Sequence, residues 1–218
     1  LDYQVGVVSM DVNAGGELAG SPPVVTPSSV DAPGTIAAAI NQGTNASGLA
    51  QGLDTAYLAL SSPNIDPGGP NEGFVRDGAG LRIVFLSDDS DQSTLLTQPS
   101  AYVDHFQGLK ANPAHVVTSD ITGGASGCTD PARGPIGPGT GFVDLTLATG
   151  GVSAPICDTD WSDVLSTLAQ GSVHLADTFV LSQLPLLGAV SVLVDGTPST
   201  AGWSYDLALN AVVFDVDH

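Results

Sequence analysis

Residues Leu81–Leu86 read LRIVFL, apolar at almost every position. A strand with one solvated face alternates apolar and polar side chains. A strand without alternation is expected to be covered on both faces, as in a parallel sheet. Parallel partners need crossover connections, and the flanking sequence supplies helices for them. Upstream, Leu49, Leu53, Tyr57 and Leu60 fall on one helical face. Downstream, Pro99 opens a segment in which Tyr102, Phe106 and Leu109 share a face, and Pro113 stops it. Residues 3–10 (YQVGVVSM) and 115–119 read as further strands. Strands alternating with helices predict an α/β fold with a mostly parallel central sheet. Ligands of such sheets sit at the carboxyl ends of the strands, so the loops after Met10, Leu86 and Ser119 are where chemistry is expected.

The remaining segments are short. Residues 15–27 are rich in Gly and Pro and read as a long turn with a short edge strand at Val24-Val25. Residues 35–41 predict one short helix, 63–80 a Gly/Pro loop, and 123–141 a loop containing Cys128. Residues 142–149 suit a short helix or a strand. Asp160 is placed to cap a helix with Trp161, Val164, Leu165 and Leu168 on one face, and Asp163 stands at the capping-box position. From about residue 177 the pattern changes to short β-type runs around Phe179, residues 190–194, Trp203, Tyr205 and residues 212–214, separated by turn signals. We therefore expect a main domain over 1–176 and a β extension over 177–218. That extension is too small to be stable alone and is expected to pack on the main body.

Of the 218 residues 42% are hydrophobic, which excludes intrinsic disorder. No apolar run is long enough for a spanning helix, so no membrane span is expected. Against 23 acidic residues stand only Arg76, Arg82, Lys110 and Arg133, for a net charge of −19. That balance argues against nucleic acid and anionic membrane surfaces as partners. It favours cations or positively charged proteins, or else a surface kept solvated in salt. No GxSxG elbow, phosphate-binding loop, dinucleotide fingerprint or HExxH motif is present, and His105, His115, His174 and His218 have no metal-ligand spacing. His105, on a helix beside Asp104, is expected to face solvent. We expect no enzyme activity.

Cys128 and Cys157 are the two cysteines. A disulfide between them would close a loop of about 30 residues, worth roughly 3–4 kcal/mol, and would place the chain in an oxidising compartment. Two buried free thiols are the alternative. The loop after Leu86 carries Asp88, Asp89 and Asp91 at a strand terminus, hard oxygen ligands suited to Mg²⁺ or Ca²⁺; an acidic solvated loop is the plainer reading. Residues 43–48 (GTNASG) precede a helix and offer hydroxyls and amides there, or simple capping by Ser47. The sequence opens Leu1-Asp2-Tyr3 directly in a strand-like run, so excision from a longer precursor is expected.

Taken in order, INQGTNASGLAQGLDTAYLAL, RIVFLSDDSD, YVDHFQGLKANPAHVVTSDI and GGVSAPICDTDWSDVLSTLA resemble the von Willebrand factor A-type domain, most closely a bacterial branch of secreted or surface-anchored proteins. The resemblance covers about residues 2–170. It implies a Rossmann-like three-layer fold and a protein-binding or adhesion role outside the cell, at its surface or in a periplasm. It also implies a metal-ion-dependent adhesion site for Mg²⁺ or Ca²⁺, with Thr44 as the second-loop ligand and Asp88 as the third-loop ligand. Asp89 and Asp91 are additional acidic candidates, and the Cys128–Cys157 pair fits the same branch. The family's Asp-x-Ser-x-Ser motif, carried on its first, central strand, does not occur in this sequence. We therefore expect that strand to come from an N-terminal fragment or a partner chain, because a sheet lacking it would expose two edges. The alternative function is a structural subunit that self-assembles through the open slot, with a vestigial metal site.

Overall fold

The computed structural model describes residues 2–41, 48–173, 178–181, 183–185, 190–194, 196–207 and 210–214. It divides into two compact units, Leu1–Leu168 and Ala169–His218. The first is mixed α/β. β1 (Val5–Val8) and β2 (Leu18–Val25) form an antiparallel hairpin. α1 (Ala32–Ile40) and α2 (Gly52–Ala59) follow. The parallel sheet has the order β3-β4-β7, from β3 (Leu81–Leu86), β4 (Val116–Thr122) and β7 (Ser153–Pro155). α3 (Pro99–Gly108) crosses over between β3 and β4. Between β4 and β7 lie a small hairpin, β5 (Cys128–Asp130) with β6 (Gly134–Ile136), and then α4 (Phe142–Thr149). α5 (Ser162–Val173) comes last, with Asp160 Oδ1 accepting from the Ser162 N–H at 2.9 Å.

Three expectations need correction. Residues 18–25 are a full strand and not a turn with a two-residue edge strand. Val5 and Gly6 pair with Val25 and Val24, the register then shifts, and Val7 and Val8 pair with Ala19 and Leu18. Pro22 and Pro23, which lack the N–H that a ladder needs, fall in the unpaired stretch. Residues 123–141 are not all loop, because β5 and β6 pair there. Most telling, β3 is not covered on both faces. Leu81 and Phe85 are buried, whereas Val84 and Leu86, which point to the other face, are 47% and 40% exposed. Among the described residues β3 pairs only with β4, so a strand with the composition of a sheet interior stands at an edge.

The core lies on the covered face of β3 and β4. Leu53, Ala56, Ala59 and Leu60 of the α2 region, Tyr102 and Phe106 of α3, and Phe142 and Leu145 of α4 pack around Leu81, Phe85 and Val116. The Phe85 and Phe142 rings lie 5.0 Å apart. Burial of large apolar side chains, at about 25 cal/mol per Å², supplies the main stabilisation of such a cluster. The β1–β2 hairpin joins it through Val8 and Met10.

The Gly/Pro loop over 63–80 fixes the hairpin in place. Asn71, fully buried, accepts from the Leu18 N–H at 3.0 Å and donates to the carbonyls of Gly16 and Ala59 at 2.9 Å each. Asn64 donates to Gly15 and Leu58. The hairpin is thus held to the end of α2 by side-chain amides, with no strand pairing between it and the parallel sheet among the described residues.

The second unit is β-rich. β8 (Thr178–Val180), β11 (Trp203–Asp206) and β12 (Ala211–Phe214) form an antiparallel sheet in the order β11-β12-β8. β9 (Val192–Val194) pairs with β10 (Thr197–Ser199). Asn210, at φ 49°, makes the turn into β12 and bonds Tyr205 Oη and the Leu181 carbonyl.

Candidate functional site

The carboxyl end of β3 opens into the acidic loop. The Ser87 N–H donates to the Ile121 carbonyl, and its hydroxyl accepts from the Asp89 N–H at 3.1 Å, closing a local turn. Asp88 and Asp89 are exposed at the top of this turn. Thr44 lies within residues 42–47, outside the described residues, as does Ser47. The loop then runs between two neighbours: Asp91 N–H donates to Thr140 O and Gln92 N–H to Ala50 O.

Asp91 faces inward to α2. Its Oδ1 accepts from the Leu53 N–H at 3.2 Å and the Ser93 hydroxyl at 2.8 Å, and its Oδ2 accepts from the Ser93 N–H at 3.1 Å. Ser93 Oγ in turn accepts from the Asp54 N–H at 2.8 Å. Gln51, at the N-cap position of α2, makes no side-chain cap bond. Asp91 and Ser93 therefore satisfy the first free N–H groups of the helix from a distant segment, the work an N-cap normally does. All of Asp91's bonds are internal, so the loop's acids divide into an outward pair, Asp88 and Asp89, and an inward capping group.

Beneath Asp91 lies Asp54, fully buried. Its carboxylate accepts from the Thr94 N–H at 2.8 Å, the Leu95 N–H at 3.0 Å and the Tyr102 hydroxyl. The Tyr102 oxygen accepts from the Leu96 N–H at 3.0 Å. Desolvation raises the Asp91 carboxyl above its ordinary value, and Asp54's charge adds to this; the bonds from Leu53 and Ser93 oppose it. Burial, then the bond to Asp54, raises the Tyr102 phenol.

A cleft of about 200 Å³ opens beside this network, lined by Leu53, Asp91, Ser93, Tyr102, Thr140 and Asp144 among others. Asp144 caps α4 by accepting from the Gly141 N–H at 3.3 Å. Gly141 sits at φ 90°, and a Cβ there would come within 2.7 Å of Asp91 Cβ, so only glycine fits this wall.

His105 is half-buried, which corrects the expectation that it faces solvent. Its ring packs against Tyr57 at a tilt of 54°, with centroids 4.4 Å apart, and Nε2 lies 3.1 Å from Ser61 Oγ. The Ser61 hydroxyl also bonds the Tyr57 carbonyl at 2.6 Å, so this pair ties the end of α2 to α3. Burial lowers the His105 pKa.

Cys128 and Cys157 form a disulfide, with Cα atoms 6.0 Å apart. It joins β5 to the segment after β7 near the same end of the sheet. Among the described residues no group of three or more His, Cys, Asp or Glu converges to hold a metal ion, and no helix is long and apolar enough to cross a membrane. The Asp54–Tyr102 network was not anticipated. Its signal was an acid adjoining Leu53 on a helix expected to be buried.

No protein-family model, no curated protein and no solved structure matches this chain.

Proposed function

We propose that this chain is an extracellular or cell-surface protein-binding module of von Willebrand A type, completed by a strand from another polypeptide. The observation that carries the reading is the sheet. β3 has the sequence of an interior strand, yet one edge is unpaired among the described residues and Val84 and Leu86 are exposed. The β1–β2 hairpin packs on the same core but pairs with no strand of that sheet among the described residues. Gln4 Oε1, just before β1, is buried and accepts from no group among the described residues. An extended segment added to these edges would satisfy their backbone groups, as in β-augmentation.

In this reading Asp88 and Thr44 contribute to a Mg²⁺ or Ca²⁺ site, with Asp89 close by and the remaining oxygens supplied by the added strand. Asp88 and Asp89 are both exposed at a strand end, and their carboxylates are the oxygen ligands a hard cation prefers. A partner's carboxylate would complete the cation's shell. The role is binding and not catalysis, and the disulfide suits an oxidising compartment.

The test is native and denaturing mass spectrometry on protein purified from its source, with hydrogen exchange on β1 and β3. We expect a second polypeptide that is retained natively and lost on denaturation, with slow exchange along β3. Calorimetry should give weak Mg²⁺ binding to the isolated chain. A lone chain with fast β3 exchange would overturn the reading. Chelator-indifferent homopolymers would instead favour the structural-subunit alternative.

A further inference from the structure

The interface between β4 and α4 contains polar atoms that the capping network does not explain. Asp120, in the middle of β4, is fully buried. Its Oδ2 accepts from the Thr122 hydroxyl at 2.7 Å and the Ser153 hydroxyl at 3.0 Å, while Oδ1 meets no donor among the described residues. Thr146 of α4 is also fully buried, and its Oγ1 has no partner among the described residues.

The packing places these two residues in the same interface. Phe142, Thr146 and Thr149 recur at helical spacing and share a face of α4. At one end of that face, the Phe142 ring packs on Phe85, the strand neighbour of Asp120. At the other, Thr149 Oγ1 bonds Thr118 Oγ1 at 2.9 Å. Asp120 lies between Thr118 and Thr122 along β4, and Thr146 lies between Phe142 and Thr149 along α4. An acceptor and a donor, neither with a hydrogen-bond partner among the described residues, thus lie in the same α4–β4 interface. Buried polar atoms are rarely left without partners, and internal waters typically satisfy such pairs.

We propose that a single internal water molecule binds here, donating to Asp120 Oδ1 and accepting from the Thr146 hydroxyl. Water fits better than a hard cation. The site offers one carboxylate, already fed by two hydroxyl donors, and no set of three acidic or histidine ligands converges among the described residues. The bridge would lock α4 to β4 and, through Ser153, to β7. It would thereby set the position of the Thr140–Asp144 wall of the cleft.

The experiment is water ¹⁷O magnetic relaxation dispersion on the full chain and on Thr146→Val and Thr146→Ser, read beside a high-resolution crystal structure. We expect Thr146→Val to show one fewer long-lived water than the parent, and Thr146→Ser to show no loss. The crystal map should place one water within hydrogen-bond distance of both atoms. An unchanged count in Thr146→Val would overturn the proposal. A direct Asp120–Thr146 bond, or a peak ligated by five or more oxygens, would also overturn it. The map decides the matter on the parent protein even if the valine variant does not fold.

Discussion

Tyr102 shows how a single hydroxyl can join three segments. It donates to Asp54 on α2, accepts from Leu96 in the acidic loop and stands on α3, 2% exposed. Removing it in Tyr102→Phe leaves the Leu96 N–H without its acceptor and takes from Asp54 one of its three donors. We expect a loss of about 1–3 kcal/mol, measured by urea unfolding. His105 gives a pH dependence of definite sign. Its folded-state pKa is depressed below the unfolded value near 6.5 because burial disfavours the imidazolium. Its contribution is therefore present above that unfolded value and is lost as the pH falls through the lower folded-state pKa. Stability should drop between pH 7 and pH 5, and His105→Gln should flatten part of that drop. A fall of equal size in the variant would remove His105 from the explanation.

At the scale of elements, the distinctive feature is capping from a distance. α2 starts without a side-chain cap of its own, and the loop after β3 brings Asp91 and Ser93 to its N–H groups. The acidic loop is therefore part of the scaffold at Asp91 and available to solvent at Asp88 and Asp89. The disulfide acts on another short element. β5 and β6 are three residues each, too short to persist unsupported, and Cys128 ties them to Cys157. Closing a loop of about 30 residues should contribute roughly 3–4 kcal/mol by restricting the unfolded chain. Reduction should lower the melting temperature, while Cys128→Ser and Cys157→Ser together should melt where the reduced protein does. A melting temperature indifferent to reductant would refute this.

For the whole molecule, charge and sheet edges matter most. With a net charge of −19, like charges repel across the folded surface more closely than in the unfolded chain. Raising ionic strength should screen that repulsion and increase the melting temperature. A flat response between 0.05 and 0.5 M salt, roughly a threefold change in screening length, would mean that the acids are spaced widely enough not to interact. The edge of β3 that is unpaired among the described residues is a separate liability. Exposed strand edges carrying apolar side chains template pairing with other chains, so the same feature that suggests a binding role predicts association at high concentration in the absence of a partner.

The sequence alone determined the class of fold and most of its elements. Val-rich runs and the spacing of Leu53, Tyr57, Tyr102 and Phe106 depend on local periodicity, and periodicity is a property of neighbouring residues. The pairing of Cys128 with Cys157 was legible because only two cysteines exist. Tertiary structure decided the rest. Nothing local distinguishes an interior strand from an edge strand with interior composition, so the exposure of Val84 and Leu86 required knowing what lies beside β3. Asp91 reads as one of three equivalent acids until α2 is placed against it. Asp54, Asp120 and Thr146 are ordinary polar residues in sequence. Their importance comes from burial, which removes water and makes each hydrogen-bond partner matter, and burial is fixed only when distant segments pack together.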